Sequence, residues 1–275
     1  MHTGSELGAS HLDTPLRTAM HFPAHHVEKA IPVLRKLVRD NPLGVLTTAI
    51  RSESAPFILS SHVPFLLDVK DENSPDELGV LRAHIARQNP QAKALIAAAQ
   101  AGTRSEPNLL EEEVLVLFTS PIHHYVTPKY YTETKPTTGK VVPTWNYMAA
   151  QAYGRIKVHW DHKSEESVEF LSKQISDLSE FAESSIMGFT GKGDDPKSWK
   201  VTDAPDRYIE LLQKAIIGIE IKLDRLEGKF KMSQEMSLGD RQGVAKGFAN
   251  LGTETASAIS QIVQERSDLK ESKSS

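Results

Sequence analysis

The chain has 275 residues, of which 39% are hydrophobic and 25% are charged, with a formal net charge of -4 at pH 7. This is the composition of a globular protein long enough to bury a substantial core, and its slight acidic excess argues against direct DNA binding. Cysteine is absent, which excludes disulfide scaffolds, thiolate metal sites, iron–sulfur clusters and cysteine nucleophiles.

The N-terminal residues 1–20 are small and polar, and we expect them to form a flexible segment. They contain no apolar core of the kind found in secretory signals. No apolar run in the chain approaches the ~20 residues that a membrane span requires. The sequence therefore predicts a cytoplasmic protein without membrane association.

The first half of the chain predicts an alternation of helices and strands. "VEKAIPVLRKLVRDNPLG" has apolar residues at helical spacing, whereas "LGVLTTAI" and "APFILSSHVPFLL" are typical of two hairpin strands. An acidic insertion follows at 71–77. "LGVLRAHIA" predicts another strand, and Asn89-Pro90 opens a helix that Gly102 ends.

The second half predicts long strands separated by one long helix. "EEEVLVLFTSPIHHYV", "RIKVHWD" and "IGIEIKLDRLEGKFKMS" are the strand segments, and the last 40 residues have a helical pattern. Between them, "KSEESVEFLSKQISDLSEFAESS" predicts a helix whose apolar face consists of Val168, Leu171, Ile175, Leu178 and Phe181. Without regular βαβ alternation, this order favours an antiparallel, barrel-like α+β domain.

His84 is the first candidate for a functional residue. It lies where a predicted strand gives way to a helix, with Arg82, Arg87 and Lys93 close in sequence. Anions bind where helices begin, because free amides and nearby cations converge there. His84 is therefore a candidate metal ligand or cofactor contact, and the alternative is a half-buried strand residue with an ordinary hydrogen bond.

Other histidines occur in sequence-adjacent or near-adjacent pairs. His25 and His26 lie at a helix entrance, and the further pairs are His123 with His124 and His159 with His162. None has the spacing of a zinc motif such as H-E-x-x-H. We expect these pairs to be solvated or hydrogen-bonded; His62 is a weaker companion to His84.

Aromatic residues concentrate in two segments. "HHYVTPKYY" places Tyr125 near Thr127 and Lys129, a combination that suits a planar charged ligand or a subunit interface. "VPTWNYMAAQAYG" contains Trp145 and Tyr147, which a strand would send to one face while Asn146 faces the other way. Core and pocket wall are both open interpretations of this second segment.

Taken in order, several of these motifs resemble the PaiB-like family of the FMN-binding split-barrel superfamily. The segments "SHVPFLL", "RAHIARQNPQ", "VLVLFTSPIHHYVTPKYY", "VPTWNYMAAQAYG" and "IIGIEIKLDRLEGKFKMSQ" carry the resemblance over residues 20–250. It implies an α+β fold with a six-stranded antiparallel split β-barrel, flanking helices and a helical C-terminal extension. The implied organisation is a PaiB-like domain over 21–250 and a helical to disordered tail over 251–275.

The resemblance also implies a homodimer with a small-molecule cofactor, FMN or haem, in a cleft at the subunit interface. The family name describes an FMN-binding negative transcriptional regulator, whereas related split barrels bind haem, and haem-dependent piperazate synthases look like close relatives. We therefore expect a redox or haem-dependent enzyme acting on a small amine-type metabolite. The alternative is a non-enzymatic regulator or small-molecule sensor. The chain departs from the family pattern at Gln151, because many relatives have histidine at this position.

Two sets of cofactor contacts follow from these alternatives. For FMN, cations and hydroxyls would hold the phosphate, and the candidates are Arg82, Arg87, Lys93, Thr47, Thr48, Ser60 and Ser61. For haem, His84 would be the axial ligand, with Tyr125 and Trp145 as pocket walls. With the resemblance added, Trp145, Asn146 and Tyr147 are interpreted as a cleft or interface element. The sequence identifies no catalytic residue.

Overall fold

The computed structural model describes residues 23–53, 55–102 and 106–274, so the expectation for residues 1–20 lies outside the described residues. Nine strands occur in the described part: β1 Val27–Glu28, β2 Leu43–Ala49, β3 Ile58–Pro64, β4 Leu66–Asp68, β5 Val80–Ala86, β6 Leu109–Thr119, β7 His124–Val126, β8 Thr144–His159 and β9 Ile216–Lys231. The α-helices in the same part are α1 Ile31–Asp40, α2 Pro90–Ala101, α3 Thr134–Thr138, α4 Glu165–Phe181, α5 Asp206–Lys214, α6 Leu238–Ala249 and α7 Glu254–Ser274.

The strands form an antiparallel sheet with the order β3-β2-β6-β8-β9-β5-β4, to which β1 adds beside β9 and β7 beside β8. The α+β class with an antiparallel sheet and flanking helices is thereby confirmed. The strand count differs from the expected six, because β1, β4 and β7 are short additions of two or three residues. In the described part of the chain, β3 and β4 are the two end strands of this sheet, and no ladder joins them. Closure of the sheet into a barrel therefore stays a prediction.

Side chains alternate between buried and more exposed positions along the long strands, and the buried ones form the core. Leu46, Phe118, Ile156 and Ile219 are fully buried on the inward faces of β2, β6, β8 and β9. At Gly154 the register of β8 against β9 shifts, and a Cβ there would lie 2.2 Å from the carbonyl oxygen of Lys222. Only glycine fits so close an approach of two backbones.

Two predicted helices differ from their sequence expectation. Val27 belongs to β1 instead of the first helix, because it pairs with Lys229 on β9 and the helix begins only at Ile31. On α4, the buried residues are Ser167, Leu171 and Gln174, whereas Val168 is exposed. The helix is rotated relative to its apolar stripe because the sheet surface beneath it carries polar side chains.

The acidic insertion is tied to α1 by a buried arginine. The Arg35 guanidinium donates to the carbonyl oxygens of Glu72, Ser74 and Glu77 over 2.8, 3.1 and 3.0 Å. Arg39 adds an exposed ion pair with Glu72 at 2.6 Å. These bonds give the insertion a defined conformation that its loop-like composition did not predict.

The C-terminal helices α6 and α7 form a hairpin that packs on the domain. Phe248 of α6 is fully buried and contacts the ring of Tyr130 edge-on, with centroids 5.4 Å apart. Arg241 is buried between the helices, where it bonds Ser267 Oγ at 2.9 Å and pairs with Glu271. None of the helices in the described residues is long and apolar enough to cross a membrane.

Candidate functional site

His84 and Arg82 lie on the same face of β5, next to α4. Arg82 is buried and donates to Asp68 Oδ1 at 2.9 Å, Asp177 Oδ2 at 2.8 Å and Gln174 Oε1 at 3.1 Å. Burial opposes its charge, but the hydrogen bonds to Asp68 and Asp177 outweigh burial and raise the pKa of Arg82. The Arg82 guanidinium is thus engaged by protein groups and holds α4 and β4 against β5.

His84 has a different environment from its neighbour. It pairs across the ladder with Gly218, against which the ring of Phe170 from α4 packs. Its Nδ1 atom is buried and has no hydrogen-bond partner among the described residues. Burial lowers the pKa of His84, so the neutral imidazole predominates near neutral pH. A neutral imidazole with an unengaged nitrogen is the form that ligates a metal ion.

The two other predicted cations, Arg87 and Lys93, differ in their surroundings. The Arg87 guanidinium donates to the backbone carbonyls of Lys214 at 3.2 Å and of Trp160, so it anchors the segments that flank β5. Lys93 is exposed on the first turns of α2. Of the two, Lys93 has the side chain that solvent or an anionic ligand can reach.

The four predicted hydroxyls divide into two pairs on opposite faces of the β2–β3 hairpin. Thr47 Oγ1 and Ser60 Oγ are 2.9 Å apart on the outward face. Thr48 is buried and accepts from Gln91 Nε2 at 3.0 Å, and Ser61 Oγ accepts from Asn89 Nδ2 at 3.1 Å. The second pair fixes the start of α2, whereas Thr47 and Ser60 face outward.

The aromatic residues of β7 and β8 form a surface cluster. Tyr125 and Trp145 are ladder partners, and their ring centroids are 6.3 Å apart in an edge-to-face arrangement. Trp145 Nε1 donates to His123 Nδ1 over 3.3 Å. Trp145 is 49% exposed and Tyr125 is also exposed, so the interpretation of this segment as plain core is wrong for Trp145.

Asn146 lies on the opposite side of β8 from Trp145, as strand alternation predicts. It is fully buried, and its Nδ2 donates to Ser233 Oγ at 3.1 Å while that hydroxyl donates to Oδ1 at 3.2 Å. Its contacts are therefore internal, joining the start of β8 to the turn after β9.

The sequence patterns did not indicate the polar row beneath α4 or the lysine beside Tyr147. His159 stacks on Phe170 at 3.8 Å, and its Nε2 lies 2.8 Å from Glu220 Oε2. Lys229 lies over the Tyr147 ring at 5.8 Å from its centroid. The alternating charges of "IGIEIKLDRLEGKFK" were the available signal, because they mark the polar face of β9.

A family model described as "Putative FMN-binding domain" matches residues 20–225. The chain belongs to this FMN-binding-domain family. An uncharacterized protein of Aspergillus fumigatus is 56% identical over 262 residues, covering 92% of this chain and 100% of the relative.

Two more distant likenesses were found. The Bacillus subtilis "Protease synthase and sporulation protein PAI 2" is 22% identical over 248 residues, 90% of this chain and 98% of that protein, and the PaiB-like resemblance is confirmed. Among solved structures, the flavocytochrome Anf3 from Azotobacter vinelandii aligns with a TM-score of 0.43 and 8% identity, covering 76% of this chain and 72% of that chain. A likeness at that level carries no conclusion about function.

Proposed function

We propose that this PaiB-like protein binds FMN in a cleft between two copies of the chain and acts as a redox enzyme on a small amine-type metabolite. The observation that carries the proposal is the half-exposed pair Tyr125 and Trp145, in a chain that belongs to an FMN-binding-domain family. Exposed aromatic rings offer a flat apolar surface on which an isoalloxazine ring packs. Bound FMN would supply one- and two-electron transfer.

The separation of the predicted contacts favours a site made by two copies. Thr47 aligns with Leu115 on β6, and Leu115 aligns with Tyr153 on β8. Trp145 lies a further eight residues along β8, which is about 26 Å at roughly 3.3 Å per residue. One FMN is too short to contact Thr47 and Trp145 of the same chain, so we assign the two groups to different copies.

An exposed apolar surface on the β2–β3 hairpin supports the pairing of two copies. Ile58 is 64% exposed and Phe57 beside it is also exposed at the turn end of the hairpin, whereas Leu43 is exposed at its opposite end. Apolar side chains exposed along a sheet surface are typical of protein interfaces. In the dimer, Thr47 and Ser60 of one copy would donate to the phosphate of FMN. Lys93 lies on the helix that packs on the opposite face of its own hairpin, so it would neutralise the phosphate charge from the other copy.

FMN titration of the purified protein tests this proposal, with flavin fluorescence and sedimentation as the two readouts. Wild-type protein should quench the flavin with saturation near one FMN per chain, and it should sediment as a dimer. Ile58→Glu should produce monomers that bind FMN weakly. Leu211→Glu, at a site 58% exposed on α5, is the matched control and should retain both properties. Wild-type protein that is monomeric, or that leaves FMN unquenched, would refute the proposal.

Lys93 and Arg87 provide a sharper test of the phosphate contact. Both were predicted to bind it, but only Lys93 is exposed, whereas Arg87 bonds backbone carbonyls. Lys93→Gln should therefore weaken FMN binding with unchanged thermal stability. Arg87→Gln should lower the melting temperature, and any loss of FMN affinity should follow from that instability. Equal FMN affinity in wild type and Lys93→Gln would remove Lys93 from the site.

Haem is the second candidate cofactor, and the unpartnered Nδ1 of His84 is the observation that favours it. His84 would be the axial ligand. Haemin titration should give a Soret band that saturates near one haem per chain, and His84→Ala should abolish it. His162→Ala, at an exposed histidine, is the control. A Soret band retained in His84→Ala would exclude His84 as the ligand.

A sensor or regulator is the non-enzymatic alternative, and turnover distinguishes it from an enzyme. The loaded protein should oxidise or convert small amines, N-hydroxylated amines among them, in a cofactor-dependent way. A protein that binds its cofactor but converts none of these amines would support the sensor. Binding to duplex DNA at physiological salt would favour a regulator over our proposal, against the net charge of -4.

A further inference from the structure

Two histidines at the start of the described chain lie beside a glutamate near its other end. The turn Ala24–His26 precedes β1, whose Val27 pairs with Lys229 of β9. Beyond the end of β9 the chain turns at Ser233, which has a positive φ of 64°, and this brings Glu235 back toward the turn. His26 and Glu235 are 209 residues apart in sequence, yet His26 Nε2 and Glu235 Oε2 are 2.9 Å apart.

We propose that His25, His26 and Glu235 bind a divalent transition-metal ion of the zinc class, with water completing the coordination. Each residue offers one ligand atom, and the three atoms all lie within 4.8 Å of one another. Zinc binds imidazole nitrogen and carboxylate oxygen at about 2.0–2.2 Å. Donors on one ion are therefore about 3–4 Å apart, and small side-chain rotations bring these three into range.

His26 is held in place beside the carboxylate. It is only 4% exposed, and its Nε2 lies 2.9 Å from Glu235 Oε2. An ion shared by these two side chains would replace the proton between Nε2 and Oε2, so the imidazole proton would then lie on Nδ1. A buried side chain that is already fixed beside its partner loses little conformational freedom when it binds an ion.

One nearby cation competes with the metal for the carboxylate. Lys231 Nζ lies 3.2 Å from Glu235 Oε1 and 2.6 Å from Thr144 Oγ1. Its positive charge repels a divalent ion at the same carboxylate. Removal of this charge should strengthen metal binding, whereas it would weaken a purely structural cluster of ion pairs. The response to Lys231→Met thus separates the two explanations.

Zinc binding to the full chain, measured by competition with a chromogenic chelator, tests the site. Wild type should bind one Zn²⁺ per chain. His25→Ala and Glu235→Gln should weaken binding by roughly 100-fold or more, at or above the range of ~10–100-fold typical for lost outer partners. Lys231→Met should bind several-fold more tightly, and His162→Ala should bind as wild type does.

Cobalt supplies a second readout that does not depend on affinity. Co²⁺ in the wild-type protein should give visible ligand-field absorption that His25→Ala and Glu235→Gln lose. His25 is exposed, so His25→Ala should fold normally even if a change at His26 does not. Zinc affinity that is equal in wild type and in His25→Ala or Glu235→Gln, or absent in wild type, would overturn the proposal. All measurements are made with and without added FMN, which keeps this result independent of the flavin proposal.

Discussion

Asn146 and Ser233 join two strand ends inside the protein: the Asn146 amide donates to the Ser233 hydroxyl at 3.1 Å and accepts from it at 3.2 Å. Both residues are fully buried. Their neighbour Trp145 faces the solvent on the other side of the same strand. Adjacent residues of the aromatic segment therefore have separable roles, one in stability and one at the surface.

Replacement of Asn146 should destabilise the fold. Asn146→Ala leaves the Ser233 hydroxyl buried without its partner, which costs about 1–3 kcal/mol of unfolding free energy. Ser233→Ala should act in the same direction. Because the two changes remove one interaction, the double variant should lose less than the sum of the single losses in urea unfolding. Additive losses would show that the pair is not energetically coupled.

Trp145 should instead affect ligand binding with little change in stability. It is 49% exposed, so Trp145→Ala should change the unfolding free energy by only about 0.5 kcal/mol, as is usual at surface sites. FMN affinity should fall by about 1–3 kcal/mol if the indole stacks on the ring. Trp199→Ala, at a site 46% exposed, is the matched control. Unfolding of Trp145→Ala would indicate a core role after all.

Arg35 should determine the order of the acidic insertion at 71–77. Arg35→Met removes the buried guanidinium that donates to three backbone carbonyl oxygens of the insertion, and we expect a loss of about 3 kcal/mol in unfolding free energy. Hydrogen exchange should accelerate in residues 71–77. Arg39→Met removes only a partly exposed ion pair and should cost under about 1 kcal/mol. Similar exchange rates in the two variants would contradict this role for Arg35.

The buried imidazole of His84 should make the cofactor-free protein less stable as the pH falls. Burial lowers the pKa of His84 in the folded state, whereas the unfolded chain takes up the proton near the usual value of about 6.5. Stability is therefore full above about pH 6.5 and declines as the pH falls toward the folded pKa.

Urea midpoints between pH 8 and pH 5 measure this dependence. His84→Gln should have a shallower decline than wild type. The decline should not vanish, because the pKa of His26 is also lowered by burial. Parallel curves for wild type and His84→Gln would show that His84 is not desolvated in the folded protein.

Local patterns predicted much of the secondary structure. The alternation of apolar and polar residues predicted the strands. Asn89 caps α2 as the sequence indicates, because its side chain accepts a hydrogen bond from Gln91 N at 2.8 Å. The apolar stripe on α4 was less informative, because the helix packs on a polar row containing Arg82 and Glu220. Helical periodicity cannot reveal what the opposing surface carries.

The candidate site was predictable in its residue types and less so in its geometry. Strand alternation and the PaiB-like motifs identified Trp145, Asn146 and His84, and placed Trp145 and Asn146 on opposite faces. A polar side chain can bind a ligand only if other protein groups do not already engage it, and these groups lie far away in the sequence. Arg82 bonds Asp177, 95 residues later, and His26 bonds Glu235, 209 residues later. Strand pairing and helix docking create these contacts. They engage the guanidinium groups of Arg82 and Arg87 in hydrogen bonds, whereas Lys93 lies exposed on α2 and is accessible to a ligand.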